Sequence, residues 1–120
     1  MSHGEAAIKT PYGAAVRSPS AAAAALSGEA SSGATLYRAG EFGVQETEAG
    51  QFWSPKNPLL TPGYAESFGT PGNAFDWVMG GDVDGEFITR EAPGYRSNPG
   101  GEPEVVTNPF SMRNLWFHMP

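Results

Sequence analysis

Four side chains in this sequence are of types that do chemistry together. They are Arg38 in "LYRAG", Ser54 in "GQFWS", and the glutamates Glu102 and Glu104 in "NPGGEPEVV". In an extended strand, residues two apart share a face and stand about 6.5–7 Å apart along it. Glu102 and Glu104 then point the same way if a strand begins at or just before Glu102, with Pro103 turned to the other side. Two carboxylates in one cleft raise each other's pKa and divide labour. One stabilises positive charge developing on a sugar carbon, while the other positions or deprotonates an acceptor. The plain alternative is a solvated acidic loop that protects an edge strand. Arg38 offers a fixed fork of donors suited to a pyrophosphate, or else forms a cross-strand ion pair with one of thirteen acids. Ser54 ends a strand and can hydrogen-bond a carboxylate, or else serves as an ordinary turn residue.

Other chemistries fit poorly. The histidines are His3 and His118, and there is no cysteine. No cluster has metal-ligand spacing, no GxSxG marks a nucleophile and no glycine motif cradles a phosphate. "GGDVDGE" lacks the spacing of a calcium loop and reads as a hairpin with Asp84-Gly85 at its tip. Seven basic residues against thirteen acidic give a net charge of −6. With the arginines scattered, that balance excludes a nucleic-acid partner. No apolar run approaches the roughly 18 residues that span a bilayer, so no membrane association is expected. The first residues do not read as a signal peptide.

These side chains need elements to position them. Residues 1–34, with "SPSAAAAALSGEASSGA", carry almost no large apolar side chain, and are expected to be a flexible tether hung from something larger. Residues 35–120 hold every aromatic except Tyr12, and form the folded domain. Strands are expected at Thr35–Ala39, Gly50–Ser54, Ala74–Gly80, Gly85–Arg90, Pro103–Thr107 and Asn114–Met119. A short helix is expected in "TPGYAESFG", with Thr61 as N-cap, Pro62 at N1 and a terminal Gly69. "GYRSNPGG" (Gly94–Gly101) reads as a mobile loop. The class is α+β, a small antiparallel core with one or two short helices.

The order matters more than the parts. Aromatic-Arg on a first strand, aromatic-x-Ser on a second and Glu-x-Glu on a late one resembles the signature of mono-ADP-ribosyltransferase toxins. "LYRAGEFG", "GQFWSPKNPLLTPGYAESFG" and "GGEPEVV" look most like the TreTu family, C-terminal toxin domains of Rhs-type polymorphic effectors. The resemblance covers nearly all of residues 35–120 and none of the tether. It implies a split antiparallel sheet with a cleft for NAD as substrate and no metal. It implies that Arg38 holds the NAD phosphates or the nicotinamide ribose, with Tyr37, Ala39, Phe52, Trp53 and Ser54 also at the NAD site. Phe52 or Trp53 would stack on nicotinamide. Ser54 would orient Glu104, Glu104 would stabilise the departing sugar cation, and Glu102 would position the acceptor. The Gly94–Gly101 loop, with Tyr95 and Arg96, would recognise the target. The chain departs from the family in having Ser54-Pro55 where many relatives have Ser-Thr-Ser, and in placing Pro103 between the glutamates.

The same resemblance implies a bacterial protein target, elongation factor Tu, and a cognate immunity protein. It also implies a larger Rhs-type effector that carries the domain out without a signal peptide of its own and delivers it to the cytoplasm of a target cell. Two other readings remain beside it. One is a NAD glycohydrolase-type hydrolase using the same carboxylates. The other is a non-catalytic tethered binding module in which Arg38 and Glu104 form an ordinary ion pair.

Overall fold

The computed structural model describes residues 7–42, 51–72 and 74–120 of the chain, so His3 and Gly50 lie outside the described residues. Ten elements follow one another as β1 (Ala7–Thr10), β2 (Gly13–Val16), α1 (Ala21–Ser31), β3 (Leu36–Gly40), β4 (Phe52–Trp53), α2 (Tyr64–Phe68), β5 (Trp77–Val83), β6 (Phe87–Glu91), β7 (Pro103–Thr107) and β8 (Met112–His118). The class is α+β, mostly strand, and among the described residues every strand pairing is antiparallel.

The larger strands form two three-stranded sheets, ordered β3-β5-β8 and β4-β7-β6. They meet where Tyr37 and Ser54 form an isolated antiparallel bridge. Asp84-Gly85 is therefore not a hairpin tip: β5 and β6 belong to different sheets, and this turn carries the chain from one to the other. Trp53, Trp77, Leu36, Val105, Met79 and Leu26 make the main buried cluster between them. In β5, Gly80 makes room for a neighbour. A Cβ there would collide with the Trp116 indole, so the missing side chain lets β8 lay that ring on the sheet.

The expectation of a flexible tether fails for the described part of residues 1–34. β1 and β2 form a hairpin whose Ile8 and Ala15 are register partners, and both are buried against Ile88 and Val106. Helix α1 is capped by Ser20, whose side chain accepts from Ala23 N–H. It buries Ala23, Leu26 and Ala30, one stripe at helical spacing. Thr89 donates its hydroxyl to Ala23 C=O at 2.7 Å, and Glu91 accepts from the Ser18 and Ser20 hydroxyls at 2.6 Å each. The physical reason is that alanine, the best helix former, lets a helix approach a sheet closely. One leucine is then enough to anchor it.

Helix α2 is shorter than expected. Gly63 is its N-cap and Gly69 its C-cap, while the Thr61 hydroxyl bonds Asn57 C=O at 2.8 Å instead of capping. The loop after β6 is tied down rather than loose. Gly100 N–H donates to Glu66 C=O, Gly101 N–H to Ala92 C=O, and Tyr95 and Asn98 bond each other's backbones. Only β7 has the expected bounds; β3, β5, β6 and β8 are shifted by one to three residues, and β4 keeps only Phe52–Trp53.

Candidate active-site cavity

β3, β4, α2, β6 and β7 each contribute to one cavity of about 590 Å³. Arg38 and Ala39 come from β3, Phe52 and Trp53 from β4 and Ser54 just after it, Tyr64 from α2, Arg90 from β6 and Glu104 from β7. Of the four residues read from the sequence as a set, Arg38, Ser54 and Glu104 thus converge on one space. The β1–β2 turn, Thr10 to Ala14, forms a further wall. Its Tyr12 ring lies 6.2 Å from the Phe52 ring.

Glu104 is 6 % exposed. Its cross-strand register partner is Arg90, whose Nε donates to Glu104 Oε2 at 3.1 Å. Burial pushes the Glu104 carboxyl up to about 7, and the Arg90 charge and hydrogen bond pull against that rise. A carboxyl in that range changes charge near neutral pH, the property expected of a group that works in a reaction. The Arg90 guanidinium also lies over the Phe52 ring, 5.6 Å from its centroid.

Ser54 does not orient Glu104. Continuing the β4–β7 register of Trp53 with Val105 places Ser54 opposite Glu104, but the Ser54 hydroxyl bonds elsewhere. It donates to Lys56 C=O at 2.8 Å and lies 2.7 Å from the Tyr64 hydroxyl. Burial raises Tyr64 to about 12, with the Glu104 charge adding to the rise and Ser54 and Arg38 opposing it. Tyr64 therefore stays protonated near neutral pH.

Arg38 places its guanidinium over two indoles, 5.1 Å from the Trp77 ring centroid and 5.7 Å from that of Trp53. Such contacts are worth about 0.5–2 kcal/mol each, and they hold the fork in place at the cavity. Of the two aromatic candidates, Trp53 is fully buried in the core and Phe52 is half-buried. Phe52 is thus the ring more open to a ligand.

Three expected site residues are not on the cavity. Glu102 precedes β7, so strand alternation does not carry it to the face of Glu104. Its N–H donates to Ser67 C=O and its C=O accepts from Ala92 N–H. Its carboxylate pairs with Lys56 Nζ at 3.3 Å, with the Glu102 side chain 41 % exposed. Tyr37 turns its ring to Trp116 at 5.9 Å, the side opposite Arg38 by strand alternation. Arg96 folds over its neighbour Tyr95, 5.4 Å from the ring centroid. Tyr95 itself lines the cavity.

Sequence reasoning missed Tyr64 and Arg90 as site residues, and the Thr10–Ala14 turn as a wall. Tyr64 was visible as an apolar helix position. Arg90 becomes legible only through the β6–β7 register, which residue spacing does not give. Among the described residues no three His, Asp or Glu side chains gather into a metal site, and no helix is long and apolar enough to cross a membrane. Comparison with protein-family models, curated proteins and solved structures finds no match.

Proposed function

We propose that the protein is a NAD-dependent mono-ADP-ribosyltransferase toxin, and that its two sheets form an ADP-ribosyltransferase-like core with the NAD cleft at their junction. One observation carries this reading: Arg38, Ser54 and Glu104, brought from two sheets in the order of the family signature, line the same cavity. The residues suit NAD. Arg38 offers a fork to the phosphates, Phe52 a half-buried ring at the cavity to nicotinamide, and Glu104 a buried carboxylate to the ribose. As the nicotinamide bond breaks, positive charge grows on the ribose carbon. An ionised, buried Glu104 stabilises that charge, and nicotinamide leaves as a neutral base.

The acceptor in this reading is a bacterial protein, elongation factor Tu by resemblance. The associated immunity protein, the Rhs-type carrier, export within that carrier and action in the target-cell cytoplasm belong to the same reading. Incubation with labelled NAD and bacterial lysate tests it. One labelled protein band that disappears with Glu104→Gln is expected. Equal labelling by the wild type and by Glu104→Gln sinks the reading.

A NAD glycohydrolase is the second reading, and the placement of Glu102 favours it. The carboxylate that would position an acceptor is paired with Lys56 outside the cavity. Water would then be the acceptor. Rapid nicotinamide release from NAD alone, unchanged by lysate, selects this reading over the first.

A further inference from the structure

The carboxylate that does the work must be held, and Ser54 does not hold it. Its hydroxyl is committed to Lys56 C=O and to Tyr64. The group that touches Glu104 comes instead from the opposite neighbour, β6. Arg90 is the register partner of Glu104 and donates Nε–H to Oε2. Among the described residues no hydrogen bond goes to Oε1. One oxygen of the carboxylate is therefore fixed and the other is left for a ligand hydroxyl. Arg90 is itself fixed, because its planar guanidinium rests on the Phe52 ring. A side chain braced on an aromatic face loses little further freedom in making its hydrogen bond.

We propose that Arg90 is the positioning residue for Glu104: it pins Oε2 and presents Oε1 to the ligand, the task that the family resemblance gives to Ser54. The proposal rests on Glu104 being the working carboxylate. The charged and titratable groups around it are Arg90 from β6, Tyr64 from α2 and Arg38 from β3, with the neutral Ser54 beside β4. The Lys56–Glu102 pair stands outside the cavity. Tyr64 is uncharged near neutral pH. Arg90 is therefore the one of these groups that both contacts Glu104 and carries charge.

The test has an activity-free arm and an activity arm, on wild type, Arg90→Gln, Arg90→Lys and Ser54→Ala, each checked for folding by circular dichroism. In the first arm, the Glu104 carboxyl is titrated by NMR with carbon-labelled glutamate. Arg90→Gln removes a neighbouring positive charge, so the midpoint rises. Arg90→Lys keeps the charge and shows a midpoint between the two. Ser54→Ala moves it less than Arg90→Gln does. An unmoved midpoint in Arg90→Gln, or a larger move in Ser54→Ala, overturns the proposal.

In the second arm, NAD turnover is followed to alkaline pH, where Glu104 is ionised in every variant. Any loss that remains there reports orientation rather than charge. A fall of roughly 10- to 100-fold in the plateau is expected for Arg90→Gln, the range that a small misplacement of a catalytic group produces. Arg90→Lys, which keeps charge but not the fork, recovers only part of it. An unchanged plateau overturns the positioning role. A wild-type protein that never turns over NAD sinks the functional reading instead, and the titration arm still decides whether Arg90 holds Glu104.

Discussion

Tyr37 and Ser54 exchange both of their backbone hydrogen bonds, at 2.7 Å each, and so stitch one sheet to the other. Arg38 follows Tyr37 and points the other way along β3; Ser54 lies opposite Glu104 by register. The bridge thus sets how far the cationic wall of the cavity stands from its acidic wall. It turns two small sheets into one site.

Activity should rise with pH through neutrality. The Glu104 carboxyl sits at about 7, and in the proposed reaction its ionised form is the one that stabilises a developing cation. Below that value kcat/KM for NAD cleavage should fall about tenfold per pH unit, the slope of a single essential ionisation. A pH–rate profile from 5.5 to 9 checks this. A profile flat through 7 means that another group carries the reaction.

Folding stability should respond to the same group with the opposite sense. A carboxyl whose pKa is higher folded than unfolded binds more protons in the native state between the two values. Its contribution to stability is thus greatest below about pH 4.5 and shrinks as pH rises toward 7. Glu104→Gln keeps the shape and removes the buried charge. It should stabilise the fold at pH 8, on the order of 3 kcal/mol by the linkage between pKa and stability, with little effect at pH 4. Urea denaturation at both pH values measures it.

Leu26 tests whether the N-terminal segment is part of the fold. It is 2 % exposed and packs in the main core with Trp53 and Trp77. Leu26→Ala should cost about 2–5 kcal/mol, the range for truncating a buried leucine. In a tether the same change would cost almost nothing.

Gly69 should not tolerate a side chain. It ends α2 with φ +61°, and a Cβ there would strike the Pro93 carbonyl. Gly69→Ala should lower Tm by several degrees, since about 1 kcal/mol corresponds to roughly 4–8 °C in a domain of this size. It should also weaken NAD binding, because the displaced backbone leads into Tyr95 at the cavity.

Glu102→Gln separates the two functional readings. The Lys56–Glu102 pair is half-exposed, so its loss should change stability by less than about 1 kcal/mol. Hydrolysis of NAD alone should stay within about threefold of wild type, a change under 1 kcal/mol in the barrier. If Glu102 handles a protein acceptor, transfer to that acceptor should drop at least about tenfold, or 1.4 kcal/mol. Quantifying nicotinamide and labelled acceptor in one reaction reads both.

Much of this was legible in advance for a physical reason. Arg38 and Glu104 sit in strands, and Ser54 directly after one, whose aromatic and β-branched neighbours mark them locally, and β7 was legible because Pro103 and Val105–Thr107 bound it clearly. What stayed hidden depends on register and on close approach. The sharing of Oε2 between Glu104 and Arg90 is a cross-strand fact that no local pattern encodes. Helix α1 was hidden because alanine contributes little apolar area yet packs well where backbones come near. Glu102 was misplaced because β7 starts one residue after it, and a period of two places a side chain only where the strand already exists.

The turn at Thr10–Ala14 and the glutamate at position 104 border the same cavity, yet most of the chain lies between them. A growing polypeptide that has made the hairpin, the arginine and the serine still has no floor to its cleft until the seventh strand has emerged and docked. Closing contacts across so long a loop is slow compared with local folding. The cavity is therefore completed only in the last stages of the chain's assembly.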